Sequence, residues 1–382
     1  MKILFLQNVD NAKGGIATVN LKLMSYFLSL NLQVDVISIR HGNTWDQINY
    51  PDGTGIYLIN DKDLWGTPRL NECLMYIKHG KIGKAMGVLL KRFVHKRKMR
   101  ADYRLCSEKI EALAPDVIIN SHYEILQGIS PSYLRKTIMH FHTSFDQVMD
   151  NNSYQRIFKK YADKLYSFVW LSKKTKEEAV EYGFKNSTYI YNPISFSESS
   201  RADMNNKKMI FLGRLSEEKR IHLAIEYFRE VVKENGLSEW DFEIYGDGPL
   251  KQELLLQIKD DSRVHYRGRT DNVKEVLLKS SVLILTSEFE GMPLVVLEAN
   301  ECGVPAIVYD FGESSCEVVK NGETGVIVPQ NDKQAFKQEL KRLLEDKAYR
   351  ESLSKSANNF AKNFSVENMG QQWLELFDRM EK

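Results

Sequence analysis

The strongest constraint on the fold is a rhythm that the sequence plays twice. From residue 2, apolar strands alternate with helical stretches: "KILFLQ", the helix pattern "ATVNLKLMSYFLSL" and "QVDVISI", then "GIYLIN", "DVIIN", "TIMHFH", "SFVWLS" and "TYIYN". Such alternation implies a parallel sheet covered by helices on both faces. At residues 197–208, "SESSRADMNNKK", the chain turns polar and aperiodic, as a linker does. The rhythm then restarts with "KMIFLG", the helix "HLAIEYFREVVKENG", "DFEIYG", "SSVLILT" and "VPAIVYD". A length of 382 residues suits two cores better than one. The expected class is therefore α/β, with two doubly wound units facing each other across a deep cleft. The expected division is 1–195, 196–364, and a terminal helix at 365–382, capped by Ser365 and folded back on the first unit. Ligands of open parallel sheets sit at the carboxyl ends of strands, so function belongs in the loops that follow them.

Composition narrows the setting. The longest apolar runs, "SVLIL" and "PLVVL", fall far short of the roughly 18 residues of a membrane span. The opening "MKILFLQNVDN" reads as a buried strand rather than a secretory signal. Cys73, Cys106, Cys302 and Cys316 form no CxxC pair and have no histidine at zinc spacing, which fits a reducing cytoplasm. A net charge of only +2 hides an asymmetry. Residues 1–195 hold 27 Lys plus Arg against 18 acids, whereas the remainder holds 26 against 33. One unit is expected to meet something anionic, with nucleic acid, lipid headgroups and phosphorylated substrates all open.

Several loops carry candidate chemistry. "IFLGRLSEEKR" runs from a strand into Arg214 and Lys219, two cations placed to neutralise a diphosphate or, alternatively, two solvated charges. In "TSEFEGMPLVVLEANECGVP" the strand ends at Ser287 and a helix is expected from Pro293 at its first position to a cap at Gly303. The amides of Met292, Leu294 and Val295 would then be free for an anion, and Gly291 would admit a ligand close to the backbone. Glu298, one turn into that helix, is costly to bury without partners, and a ribose diol would supply two donors. Glu290 would point at whatever lies beyond the diphosphate. The bland alternative leaves Glu298 packed at a helix boundary and Glu290 solvated.

In the first half, "NVDNAKGGIATVN" sets Gly14 and Gly15 between the first strand and helix, without the spacing of GxGxxG. The second strand ends in Arg40 and His41 where a dinucleotide fold offers an acid, which argues against an NAD enzyme. His122 and His142 close "DVIINSH" and "TIMHFH" and are expected to project toward the cleft, although a lone histidine is usually structural. Asp61 and Asp63 suggest an Asp-x-Asp metal site, but no second acidic cluster supports one. Residues 78–104 hold ten Lys or Arg and one acid. Ile82, Met86, Leu89 and Phe93 share one helical face, with Lys84, Lys91 and Lys98 opposite. That is the pattern of a helix on an anionic membrane surface, or of a basic helix packed on its own domain.

Taken together, "GRLSEEK", "YGDGP" and the E-x7-E pattern of Glu290 and Glu298, in this order and spacing, resemble the retaining family 4 glycosyltransferases of the two-Rossmann GT-B type over nearly the whole chain. "YNPIS" departs from the Asn-Gly that many members carry before the linker. The resemblance implies transfer of a sugar from a nucleotide diphosphate sugar, UDP-linked, to a saccharide or lipid-linked saccharide in bacterial surface polysaccharide synthesis. It implies no metal, cofactor or nucleic-acid partner, and a place on the inner face of the plasma membrane. Arg214 and Lys219 would hold the diphosphate, with Met292, Pro293, Leu294 and Val295 around it and Gly15 against it from the first unit. Arg269 and Gly291 would also contact the donor, Glu298 the ribose, and Glu290 and His142 the sugar. His122 and Gly14 would lie on the acceptor side. A sugar-nucleotide 2-epimerase on the same fold and a non-catalytic nucleotide-sugar-binding subunit are the rival readings; the E-x7-E pattern disfavours the first, and the presence of Arg214, Lys219 and Glu290 the second.

Overall fold

The computed structural model describes residues 1–9, 15–41, 48–59, 70–79, 81–194, 196–197, 200–312 and 314–380. Gly14, Asp61 and Asp63 lie outside these residues. Seven parallel strands form the first sheet: β1 (Lys2–Val9), β2 (Gln33–His41), β3 (Gly55–Leu58), β4 (Val117–Asn120), β5 (Thr137–His140), β6 (Ser167–Trp170) and β7 (Ser187–Tyr189). Six form the second: β8 (Lys208–Leu212), β9 (Asp241–Tyr245), β10 (Val264–Gly268), β11 (Val282–Leu285), β12 (Ala306–Tyr309) and β13 (Gly325–Val328). The spatial orders are β3-β2-β1-β4-β5-β6-β7 and β10-β9-β8-β11-β12-β13. Both reverse direction beside their first strand, at β1/β4 and at β8/β11, which opens a crevice at the carboxyl edge of each sheet.

Burial explains the strand compositions. β4, β5, β6, β11 and β12 are buried at every position, as strands sandwiched between helical layers must be. β10 and β13, edge strands of the second sheet, were not anticipated from the sequence. The segment read as a linker is docked: Ala202 and Met204 are buried in the second unit, and the Ala202 amide donates to Cys302 O at 2.8 Å. Apolar side chains spaced within this polar stretch hold it there.

The C-terminal helix, Val366–Asp378, leaves the second unit and completes the core of the first. Ser365 caps it, its Oγ accepting from the Asn368 amide. Phe377 packs on Phe27 of α1 (Gly15–Ser29) with ring centroids 5.6 Å apart. Gly370 is required there, because a Cβ would fall 2.1 Å from the Tyr26 ring. On the opposite flank, α2 (Leu70–Lys78) and α3 (Ile82–Leu113) form an antiparallel pair. The apolar stripe of α3 expected to seek a partner is exposed at Ile82, Met86, Leu89 and Phe93.

Candidate active site

The second sheet builds most of the site through loops held by backbone contacts. After β8, the turn at Gly213–Leu215 is clasped by the turn after β9. The Gly213 amide donates to Tyr245 O at 3.1 Å, and the Leu215 amide to Asp247 O at 3.0 Å. A Cβ on Gly246 would lie 1.8 Å from Gly213 O, so "YGDG" needs its glycine for this close approach. Arg214 emerges exposed from the clasp. Lys219 ends a single 3-10 turn, Glu217–Lys219. The next residue, Arg220, adopts φ 45° and fastens this loop to the one after β11, its guanidinium donating to Thr286 O at 3.0 Å and Asn331 Oδ1 at 2.9 Å.

That fastening brings Lys219 to Glu290. Lys219 Nζ lies 2.5 and 2.6 Å from the two Glu290 carboxylate oxygens, and Ser287 Oγ donates to Oε1 at 2.8 Å. Both side chains are mostly shielded from solvent. The sequence assigned these residues to different parts of a donor; here they form one partly buried ion pair, with Arg214 as a separate cation on the same cleft wall.

The following helix is Leu294–Glu301, so Pro293 is its N-cap rather than its first residue, at φ −71° and ψ 103°. Val296 N reaches Pro293 O, leaving the turn at Met292–Val295 facing the cleft, and Glu298 is buried along its wall. Gly291 differs from expectation. A Cβ there would come within 3.0 Å of Thr143 Cα and 3.1 Å of His142 O, so the residue it admits closely is backbone of the first unit, and it does not line the cleft. Met292 adds a second tie between units, its Sδ accepting from the Asn192 amide at 3.3 Å.

From the first unit come Gly15 and His142. β5 ends at His140, two residues earlier than expected, and the ring of His142 lies 4.0 Å from that of His140. Trp373 of the C-terminal helix meets His140 edge-on at 5.0 Å. His140 Nδ1 and His142 Nε2 have no hydrogen-bond partner among the described residues. Burial lowers His140 to about 3 and His142 well below the usual histidine value, so both rings are neutral at pH 7. His122 does not reach the cleft: β4 ends at Asn120, and His122 Nδ1 accepts from the Asn8 amide at 3.2 Å, a packing role that burial reinforces by lowering its pKa to about 4.

The two edges enclose a cleft of about 1510 Å³ that contains Gly15, His142, Arg214, Lys219, Arg269, Glu290, Met292, Pro293, Leu294, Val295 and Glu298. Tyr245, Asp247, Asn272, Asn49 and Asn192 also line it and were missed. Asp247 and Asn272 follow strand ends and were findable by that rule; Asn192 sits in the crossover between units, where no strand-end signal points. Among the described residues no group of three His, Cys, Asp or Glu stands together as a metal site.

Comparison with known proteins agrees with this architecture. Residues 194–360 match the family model for glycosyl transferases group 1. The chain is 29% identical over 226 residues to an exopolysaccharide phosphotransferase of Streptomyces coelicolor, covering 57% of this chain and 24% of that protein. It is 30% identical over 191 residues to a PP-undecaprenol alpha-1,4-N-acetyl-D-galactosaminyltransferase of Campylobacter jejuni, covering 49% of this chain and 53% of that one. The chain thus spans about a quarter and about half the length of these two relatives. Among solved structures, Staphylococcus aureus TarM with UDP and alpha-GlcNAc-glycerol superimposes with a TM-score of 0.76 at 15% identity, covering 98% and 99% of the two chains. Anabaena HepE with UDP and glucose gives 0.73 at 17%, covering 99% and 100%. These likenesses are of fold: two facing Rossmann-like units in the GT-B arrangement. The family match thus falls on the second unit.

Proposed function

We propose that this protein is a retaining glycosyltransferase that moves a sugar from a UDP-sugar to a hydroxyl of a saccharide or lipid-linked saccharide, in the synthesis of a bacterial surface polysaccharide. The observation that carries the reading is the Lys219–Glu290 pair at the base of a cleft that also holds Arg214 and the amino end of helix Leu294–Glu301. An entering diphosphate competes for Lys219, and the released Glu290 carboxylate then turns to the donor sugar. Arg214, Lys219 and the amides of Leu294 and Val295 stabilise the departing diphosphate, and Glu298 accepts from the ribose hydroxyls. Neutral His142, with Nε2 unpartnered, hydrogen-bonds a sugar hydroxyl near the reacting carbon.

The bond from the anomeric carbon to the diphosphate oxygen breaks while the acceptor oxygen bonds to the same face. The acceptor proton passes to the departing phosphate oxygen. Positioning and charge neutralisation then carry the rate. The phosphotransferase name of one relative supports a second reading, in which a phosphosugar moves and the bond between the two phosphates breaks. Incubation with a panel of nucleotide sugars separates them, because sugar transfer releases UDP and phosphosugar transfer releases UMP. Release of neither, with every sugar and acceptor saccharide tried, removes both.

A further inference from the structure

Ten of the sixteen exposed large apolar side chains among the described residues fall between residues 74 and 105. α2 contributes Leu74, Met75 and Ile77; α3 contributes Ile82, Met86, Leu89, Leu90 and Phe93, with Ile82 at 69% and Phe93 at 58% exposure. The two helices use a different face to hold each other, through Tyr76 against Ala85 and Val88. The exposed surface is therefore not the underside of the hairpin.

Along α3 one stripe changes character. Ile82, Met86, Leu89 and Phe93 are spaced four, three and four residues apart, and the same spacing continues through Arg97, Arg100 and Arg104, all exposed, the last also 3.7 Å from Glu108. The stripe is apolar toward the end of the hairpin and cationic toward the body of the protein. That end also projects. Cys106 and Ile110 pack in the core beneath β1, β2 and β4, and the Tyr103 backbone packs on Gly128, just past the carboxyl end of β4. Ile82 lies 21 residues before Tyr103, so the helix extends about 32 Å beyond that edge. This is the edge of the sheet from which Gly15 and His142 face the cleft.

We infer that the end of the α2–α3 hairpin inserts its apolar side chains into an anionic bilayer, with Arg97, Arg100 and Arg104 at the headgroups, and so turns the cleft toward the membrane surface. The occupant is set by charge: residues 78–104 carry ten Lys or Arg and one acid, Asp102, which is buried. A protein partner would need an apolar face ringed by acids; a bilayer containing acidic lipid offers both in one surface. The inference rests on the sugar-transfer reading in one respect, which it sharpens: the acceptor is a saccharide carried on a lipid and long enough to reach from the headgroups to the cleft.

The test uses the full chain and vesicles of phosphatidylcholine with or without phosphatidylglycerol. The parent is expected to sediment with the anionic vesicles only and to be weakened by salt. Replacing Ile82, Met86, Leu89 and Phe93 together with Ser should weaken sedimentation about tenfold or more, and Arg97→Glu with Arg100→Glu should do the same. These side chains are exposed, so thermal unfolding should match the parent. Phe93→Trp should shift its emission to the blue when anionic vesicles are added, and Tyr182→Trp, exposed elsewhere on the same unit, should not. Equal binding to neutral vesicles, no binding, or an unshifted Phe93→Trp spectrum overturns the inference. So does a parent dimer that the Ser variant makes monomeric, which would assign the face to a second copy. UDP binding by calorimetry keeps the two readings apart: loss of UDP binding in the parent sinks sugar transfer and leaves the vesicle result standing.

Discussion

The two sheets share the strand order around their crevice, yet they distribute charge in opposite ways. The first unit carries nine more basic than acidic residues, but the described residues it sends into the cleft are uncharged: Gly15, Ile16, Thr18, Asn49, Asn192 and a histidine kept neutral by burial. The second carries seven more acids than bases and nevertheless supplies Arg214, Lys219 and Arg269 there. The net charge of a domain thus says little about the charge of its ligand. Ten of the 27 Lys and Arg of the first unit lie at residues 78–104, whereas the second unit sets Arg214, Lys219 and Arg269 in loops that follow strands.

Removing cleft cations should produce the largest effects and so test the contrast most severely. Arg214→Ala and Lys219→Ala are each expected to lower kcat/KM about 10²-fold or more, as loss of a group facing developing charge does. An equal loss from His142→Asn would break the comparison by giving the first unit an equal share. The two acids should then divide by step. Glu290→Gln is expected to slow transfer about 10²-fold with little change in UDP affinity, and Glu298→Gln to raise the Kd for UDP about tenfold through loss of a charge-assisted hydrogen bond. Calorimetry with UDP alone checks this, and an unchanged Kd for Glu298→Gln would remove the ribose role.

Where the units touch, Gly291→Ala pushes a methyl against the Thr143 backbone. We expect about a tenfold loss of rate with UDP affinity kept, since each unit's own loops stay intact while their alignment shifts. Parent-like turnover would show that the contact is free to yield. The smallest effect is on stability. His122, His140 and His142 have folded pKa values below their unfolded value of about 6.5, so they bind protons more readily when unfolded. Their contribution is complete above that pH and is lost as pH falls below it, down to about 4 for His122 and about 3 for His140, at up to about 1.4 kcal/mol per pH unit for each ring. Urea midpoints should fall over that window, less steeply in His140→Asn; identical slopes would deny His140 its part.

Much of this was legible in the sequence because it rests on periodicity. Strands buried on both faces are continuous apolar runs, and most of them could be read directly. β10 and β13 could not: "VHYRG" mixes polar residues into an edge strand and "GVIV" is four residues between turns, so neither gives a long apolar signal. The cleft positions of Arg214, Lys219, Glu290 and Glu298 followed from the strand-end rule, but the direct pairing of Lys219 with Glu290 did not. It joins residues 71 apart in sequence, and it depends on the backbone turn at Arg220 and the cross-loop bonds of its side chain. The role of Gly291 was misread for a related reason. A glycine marks a close approach but does not name what approaches, and here it is the other unit.

The return of the last helix to the first unit has a consequence for the order of events on the ribosome. Trp373 and Phe377 fill a core that also contains Ile3, Phe5 and Phe27, residues of β1 and α1 that are made well before them. From the end of β7 to that helix the ribosome must add roughly 180 residues, which takes about 10–35 s at ordinary elongation rates. Through that interval the nascent first sheet has one flank uncovered, with His140 and Phe27 awaiting their neighbours. The first unit is therefore finished only after the second has been made, and it matures together with the cleft it helps to close.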